Sequence, residues 1–326
     1  MPPAFWQQGQ HPPALLSPLL IPLSWLFAAA TARRVARQGW KSGVPVICCG
    51  NASVGGSGKT PLVLDLVERL RTRGRTPAIL SRGHGATKHG PRQVMPGIDD
   101  ASSAGDEPLL LAAVAPTFIG ADRAATARLA IAAGADVLLM DDGLQNRTLH
   151  QTCNLLVIDG GVGFGNGHVI PAGPLRETPA RAAARCKAAI FIGADGTGAA
   201  QALPPALPRL QAELVPNLSD LASLPPRLIA FAGIGRPDKF FNTLTAAGHA
   251  PIATRAFADH RPYQASDMSG LRAQAAAENA GLVTTSKDFV RLPPAWRHDI
   301  SVLRVALQWQ HDAALNTLLD TALAEA

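Results

Sequence analysis

The chain has 326 residues, 47% hydrophobic and only 17% charged, which is enough apolar material for one large domain or two ordinary ones. Basic residues exceed acidic ones by 6, a balance suited to an anionic substrate or an acidic membrane surface; with one Tyr and no interleaving of aromatic and basic residues, nothing favours nucleic acid. The four cysteines form no Cys-x-x-Cys pair and no His cluster accompanies them, so a disulfide or zinc framework is excluded and a reduced, cytosolic compartment fits.

In chain order, the first predicted element is apolar. Ala14 to Ala32 carries no charge, and Arg33, Arg34, Arg37 and Lys41 follow at once. Its length makes it a transmembrane candidate, but Pro18 and Pro22 argue against a straight spanning helix, and no positive charge precedes it as a secretory signal would require. A helix lying in the membrane interface, with arginines on anionic headgroups, ranks ahead of a buried core helix and of a spanning one.

Next comes an apolar strand, Val44 to Cys49, followed by Gly50-Asn51-Ala52-Ser53-Val54-Gly55-Gly56-Ser57-Gly58-Lys59-Thr60 and a helix running to about Arg73. Strand, glycine loop and Gly-Lys-Thr opening a helix is the layout of a phosphate-binding P-loop. In that reading the backbone of Ser53, Val54, Gly55, Gly56, Ser57 and Gly58 surrounds phosphate oxygens, Lys59 reaches the β- and γ-phosphates, and the Thr60 hydroxyl sits on Mg²⁺. The usual spacing places glycine where this chain has Ser53.

Strands and helices then alternate: strand Thr76 to Leu80, an irregular stretch from His84 to Ala104, helix Asp106 to Ala115, strand Thr117 to Ile119, helix Ala121 to Ala133 and strand Val137 to Met140. Further strands are expected at Asn154 to Ile158 and Ala188 to Ile192. Near-continuous apolar strands between helices predict a parallel sheet covered on both faces. Proline punctuation at 204–208 and 224–226 precedes a second alternation: strand Leu228 to Ala232, helix Lys239 to Ala247, strand Ile252 to Phe257, helix Ala265 to Asn279, strands Leu282 to Thr285 and Ser301 to Val305, and a last helix Asp312 to Ala324.

Four short motifs carry candidate chemistry. The run Leu138-Leu139-Met140-Asp141-Asp142 resembles a Walker B strand, whose terminal carboxylate reaches Mg²⁺ directly or through water. Asp106 and Glu107, after Gly105, either cap a helix or serve as metal ligand or base. Asp259-His260 follows a strand of the second unit; it is a surface pair or a proton-accepting assembly. Arg176-Glu177, after Pro171-Ala172-Gly173-Pro174-Leu175, is a solvated ion pair or a phosphate-binding arginine beside a metal-linked carboxylate.

Taken together, these ordered motifs resemble the tetraacyldisaccharide 4′-kinase family. The match runs from Gly50 to Asp288 and includes the glycine loop, Ser81-Arg82-Gly83-His84-Gly85, Gly105-Asp106-Glu107-Pro108, Asp141-Asp142-Gly143-Leu144-Gln145-Asn146, Gly173-Pro174-Leu175-Arg176-Glu177, Phe231-Ala232-Gly233-Ile234-Gly235, Asp259-His260 and Thr284-Thr285-Ser286-Lys287-Asp288. His84 stands where the family pattern usually has Tyr, whereas the absence of the first P-loop glycine is shared.

The resemblance implies an α/β protein: a P-loop NTPase-like parallel-sheet kinase domain over 43–224, a smaller α/β domain over 225–326, and an N-terminal membrane-associated segment over 1–42. It further implies ATP-dependent phosphorylation of the 4′-hydroxyl of a tetraacylated glucosamine disaccharide 1-phosphate, giving lipid IVA at the cytoplasmic face of the inner membrane. Its catalytic residues map onto Asp106, His260 and Lys59. The loop residues, Thr60, Asp141, Asp142, Arg176 and Glu177 would bind ATP, and Thr60, Asp106, Glu107, Asp141 and Glu177 would hold Mg²⁺. Neither nucleic acid nor an obligate protein partner is expected. The rival readings are a membrane-associated P-loop NTPase switch, for which no Asn-Lys-x-Asp guanine reader is present, and a nucleotide-binding module without kinase activity.

Overall fold

In a computed structural model that describes residues 3–56, 58–87 and 90–325, the chain builds one large, mostly parallel sheet and one smaller, all-parallel sheet. The larger sheet contains β1 (Val46–Gly50), β2 (Pro77–Ser81), β3 (Arg92–Gln93), β4 (Thr117–Ile119), β5 (Val137–Asp141), β6 (Cys153–Asp159), β7 (Ala188–Ile192) and β8 (Arg209–Pro216). The smaller contains β9 (Leu228–Ala232), β10 (Ala253–Ala256), β11 (Gly281–Thr285) and β12 (Ile300–Leu303), in the order β10-β9-β11-β12. A last strand, β13 (Val305–Trp309), returns to the large sheet, whose order is β13-β8-β7-β6-β1-β5-β2-β4-β3.

Burial on both faces explains why the strands are apolar without alternation. In β1, Cys48 and Val46 join the core cluster of Leu138, Met140, Leu149 and Leu156. Their neighbours Ile47 and Cys49 join the opposite cluster with Leu62, Leu66 and Leu70. Leu62, Leu66 and Leu70 recur every four residues on the helix Lys59–Thr72 and are fully buried. Each such leucine contributes about 1.5–3 kcal/mol by leaving water, which fixes that helix, and hence Lys59, against the sheet.

Two expectations are corrected. The smaller unit does not extend to residue 326. Arg304 ends it, and β13 pairs antiparallel with β8 while Leu315, Leu319 and Ala322 of the final helix Asp312–Ala324 enter the core beside Leu62 and Leu66. The strand expected at Ser301 to Val305 is thus two strands in different sheets, and the chain enters and leaves the small unit through the large one. The proline-rich stretch before 225 also hides β8, which pairs with β7 through Leu210 and Ala212.

The apolar N-terminal segment forms a helix, Ser17–Val35, that is not a core helix. Ser24 and Thr31 are buried, and Ser24 donates to the carbonyl of Val169 at 2.7 Å. Phe27 and Ala28 pack on the core. Leu15, Leu19, Leu23, Trp25 and Leu26 face outward. Among the described residues no helix is long and apolar enough to cross a membrane.

Candidate active site

The chain runs from β1 outward to β2 and β4, returns through β5 beside β1, and continues to β6, β7 and β8 on the far side. The carboxyl end of β1 is therefore a topological switch point, where an open parallel sheet forms its ligand crevice. The glycine loop, Asp141, Asp142 and the segment 81–85 all leave the sheet at this edge.

The loop is anchored at its start and open at its tip. Ser53 bridges Leu175, the Val54 N–H donates to Pro174 O at 2.9 Å, and the Arg176 N–H donates to Ala52 O at 2.6 Å. The Val54 amide is thereby committed to the loop 171–177 and cannot also serve an anion. Gly55 and Gly56 are bordered by nothing within 4 Å of where a side chain would start. Gly58 caps the helix at φ 81°, and a Cβ there would lie 2.9 Å from Ile192. Ser57 lies outside the described residues.

Lys59 opens the helix with its Nζ 3.9 Å from Asp142 Oδ1. Asp142 stands in the left-handed region, and its N–H donates to Cys49 O at 2.9 Å. Arg176 grips both its oxygens, each at 2.9 Å. Burial pulls the Asp142 carboxyl upward, but Lys59 and Arg176 outweigh it and hold the carboxyl below its ordinary range. Asp141 differs: burial raises it to about 7, Glu107 pushes the same way, and Lys59 opposes. Its Oδ1 is buried and without a hydrogen-bond partner among the described residues. Adjacent carboxylates thus have opposite electrostatics: burial dominates at Asp141, where Lys59 and Arg123 offset it only in part, whereas at Asp142 Lys59 and the hydrogen-bonded fork of Arg176 outweigh it.

Asp106 begins the helix Asp106–Ala112, after Gly105 at φ 89°. Its Oδ1 accepts the following N–H of Glu107 at 3.0 Å, and its Oδ2 lies 3.1 Å from His260 Nδ1. His260 comes from the loop after β10 with φ 58°, so the two partners belong to different units. The ring N–H is close to that oxygen without being aligned on it.

Residues 16–324 match the family model described as tetraacyldisaccharide-1-P 4′-kinase. The chain belongs to that family. It is 52% identical to the tetraacyldisaccharide 4′-kinase of Gluconacetobacter diazotrophicus over 99% of this chain and 98% of the relative. With the protein of that name from Gluconobacter oxydans the identity is 49%, over 98% and 97%. The solved structure of LpxK from Aquifex aeolicus, in complex with ATP, is alike in fold, with a TM-score of 0.76 and 24% identity over 95% of this chain and 99% of that one.

Of the residues that the family resemblance points to, the structure brings Lys59, Asp141, Asp142, Arg176, Asp106, Glu107 and His260 to one edge. Glu177 is buried and takes two hydrogen bonds from Arg185 at 2.7 and 2.8 Å and a third from Gln145 at 2.8 Å, which brace the loop behind Arg176. His84 contributes its backbone, since its carbonyl packs against Gly105.

Two charged residues at this edge had no assigned role. Arg123 is fully buried near Asp141 and donates to Gly120 O, and burial lowers its guanidinium to about 10. Its place after the N-cap Asp122 looks like ordinary helix-start chemistry. Lys287 lies 3.2 Å from Glu107 and 4.0 Å from Asp106.

Proposed function

We propose that this chain transfers the γ-phosphoryl group of ATP to the 4′-hydroxyl of a tetraacylated glucosamine disaccharide 1-phosphate, giving lipid IVA. Family membership supports the reaction. The observation that carries its assignment to this cleft is the convergence of Lys59 and the Asp141–Asp142 pair with Asp106 and His260 at one sheet edge.

The open amides around Gly55 and Gly56, at the start of a helix, cradle phosphate oxygens, and Lys59 adds a positive charge. Arg176 holds Asp142 in place through its two-pronged pairing. Asp106 accepts the hydroxyl proton as the oxygen attacks phosphorus, and His260 faces the far side of that carboxylate. Among the described residues no three His, Cys, Asp or Glu side chains converge to hold a metal. Mg²⁺ carried largely by nucleotide phosphates would take the partnerless Asp141 oxygen as a protein ligand, and Thr60, in the first turn of the helix Lys59–Thr72, is the hydroxyl that the P-loop pattern assigns to it. When bound there, the ion neutralises phosphate charge.

The acceptor is a lipid, so the protein must reach it in the bilayer. The outward leucines of the helix Ser17–Val35, followed by Arg33, Arg34, Arg37 and Lys41, suit the interface of an anionic membrane on its cytoplasmic face.

Incubation with radiolabelled ATP and the acylated disaccharide tests this reading. We expect labelled saccharolipid, with ATP consumed only when lipid is added. ATP hydrolysis without lipid dependence would favour a nucleotide switch, and no turnover at all would favour a binding module; either overturns the proposal.

A further inference from the structure

The short helix Ser286–Arg291 of the small unit follows β11 directly and docks on the helix Asp106–Ala112 of the large one. Val290 packs on the cluster that holds Ala104, Leu109 and Ile119. One turn earlier, Lys287 reaches the same helix: its Nζ is 3.2 Å from Glu107 Oε1 and 4.0 Å from Asp106 Oδ2.

The geometry of this turn is fixed from behind. Thr285 caps it by accepting the Asp288 N–H at 3.1 Å. Asp288 is fully buried and accepts from Gly233 N at 2.9 Å, Tyr263 Oη at 2.8 Å, Thr285 Oγ1 at 2.7 Å and the Arg291 guanidinium. Four donors on one carboxylate hold the backbone of this turn, and with it the Cα from which Lys287 extends.

We infer that Lys287 is a positioning residue: together with His260 it sets the Asp106–Glu107 helix start from the opposite unit, so that the acceptor-side machinery assembles only when the two units are docked. His260 sits on the loop after β10 and Lys287 on the helix after β11, yet both approach Asp106 Oδ2. His260 is half exposed, whereas Lys287 is largely covered. Lys287 reaches both acids of the helix start, Glu107 at 3.2 Å and Asp106 at 4.0 Å, and so is the broader tether. This inference rests on the kinase reading only for its effect on turnover; docking itself is independent of it.

The test uses the full chain as wild type, Lys287→Ala, Lys287→Arg and Glu107→Gln, alone and with Lys287→Ala. First, backbone amide exchange of residues 104–112 is followed without substrates. Lys287→Ala should speed it at least about fivefold and Lys287→Arg should largely restore it. Unchanged exchange, or equal loss in both variants, overturns the tether. Second, in the lipid kinase assay Lys287→Ala should lower kcat about 10- to 100-fold while KM for ATP moves less than about threefold, and adding Glu107→Gln should cost little more. A pure rise in KM, turnover within about twofold of wild type, or fully multiplicative losses overturns the positioning role. A wild-type protein that phosphorylates no lipid defeats the kinase reading but leaves the exchange result to decide the tether.

Discussion

Arg176 holds both oxygens of Asp142 at 2.9 Å, and Asp142 keeps a φ of 55° at the end of β5. A left-handed backbone costs a non-glycine residue about 1–2 kcal/mol. Here the N–H bond to Cys49 and the guanidinium fork hold it in place, and Lys59 adds a third contact. A lysine at 176 would keep the charge but lose the fork. We expect Arg176→Lys to stay folded, with a melting temperature within about 4 °C of wild type, but to lose about tenfold or more in turnover. Calorimetry and initial rates on the same preparation check this, and full activity would remove the fork from the mechanism.

The neighbouring carboxylate gives a pH signature. Asp141 is raised to about 7 in the folded chain from the ordinary value of 3.8. A raised carboxyl binds its proton more tightly when folded, so its contribution is fully present below pH 3.8 and is lost as pH rises through about 7. A carboxyl raised from 3.8 to about 7 accounts for at most about 4 kcal/mol. Nucleotide-free Asp141→Asn should therefore gain thermal stability relative to wild type between pH 5 and pH 8, while losing turnover. Denaturation curves at a series of pH values measure the difference; a gap between the two proteins that does not change with pH would show that Asp141 is not a protonated group.

Gly105 is the hinge on which Asp106 depends. Its φ is 89°, and an added Cβ would come within 2.7 Å of the His84 carbonyl oxygen, which is backbone and cannot swing aside. Gly105→Ala must shift the helix start or the 81–85 loop. The expected cost is about 1–3 kcal/mol in stability, with turnover falling by about 10²-fold or more because a base misplaced by an ångström loses its alignment. Unfolding midpoints and rates for this variant separate the two effects. Activity close to wild type would mean that Asp106 tolerates displacement.

How much of this was legible in the sequence varied with the physics. The strands β1, β5, β6, β7 and β9 were readable because burial on two faces leaves unbroken apolar runs. The glycine loop was readable because strand, loop and helix are contiguous. β8 was not, since its burial is mixed and prolines bracket it. Nor was the return of β13 and the last helix: antiparallel pairing with β8 is a long-range event, and nothing local in 305–324 marks which sheet it joins. Asp106 and His260 each stood out in a short motif, but only the family pattern joined them, because their meeting across 154 positions of chain is tertiary. The pairing of Glu177 with Arg185 was not legible, since nothing local in 177–185 marks that the guanidinium turns back onto the carboxylate.

The Asp106–His260 contact makes a thermodynamic claim. If the histidine acts through the carboxylate, removing either one removes the same function. We expect Asp106→Asn and His260→Ala each to lower turnover by about 10²–10⁴-fold, and the double variant to be within a few fold of the worse single. Multiplicative losses would mean two independent roles. His260 is half exposed, so its removal should barely move the melting temperature.

The N-terminal helix offers a test that does not involve chemistry. Leu19, Leu23 and Leu26 lie at spacings of four and three on one face, with exposures of 61%, 42% and 67%. Side chains that exposed contribute little to folding, so replacing all three with Gln should change stability by less than about 1 kcal/mol. At an interface each would transfer part of a leucine's ~1.5–3 kcal/mol, so the loss of all three should weaken vesicle binding by at least about tenfold. The basic flank adds about 1 kcal/mol per Lys or Arg on anionic lipid, and salt screens it. Flotation with phosphatidylglycerol–phosphatidylethanolamine vesicles at low and high salt should show wild type bound, the triple variant mostly free, and salt weakening both. If the triple variant floats as wild type does, this face is not the one that meets the bilayer.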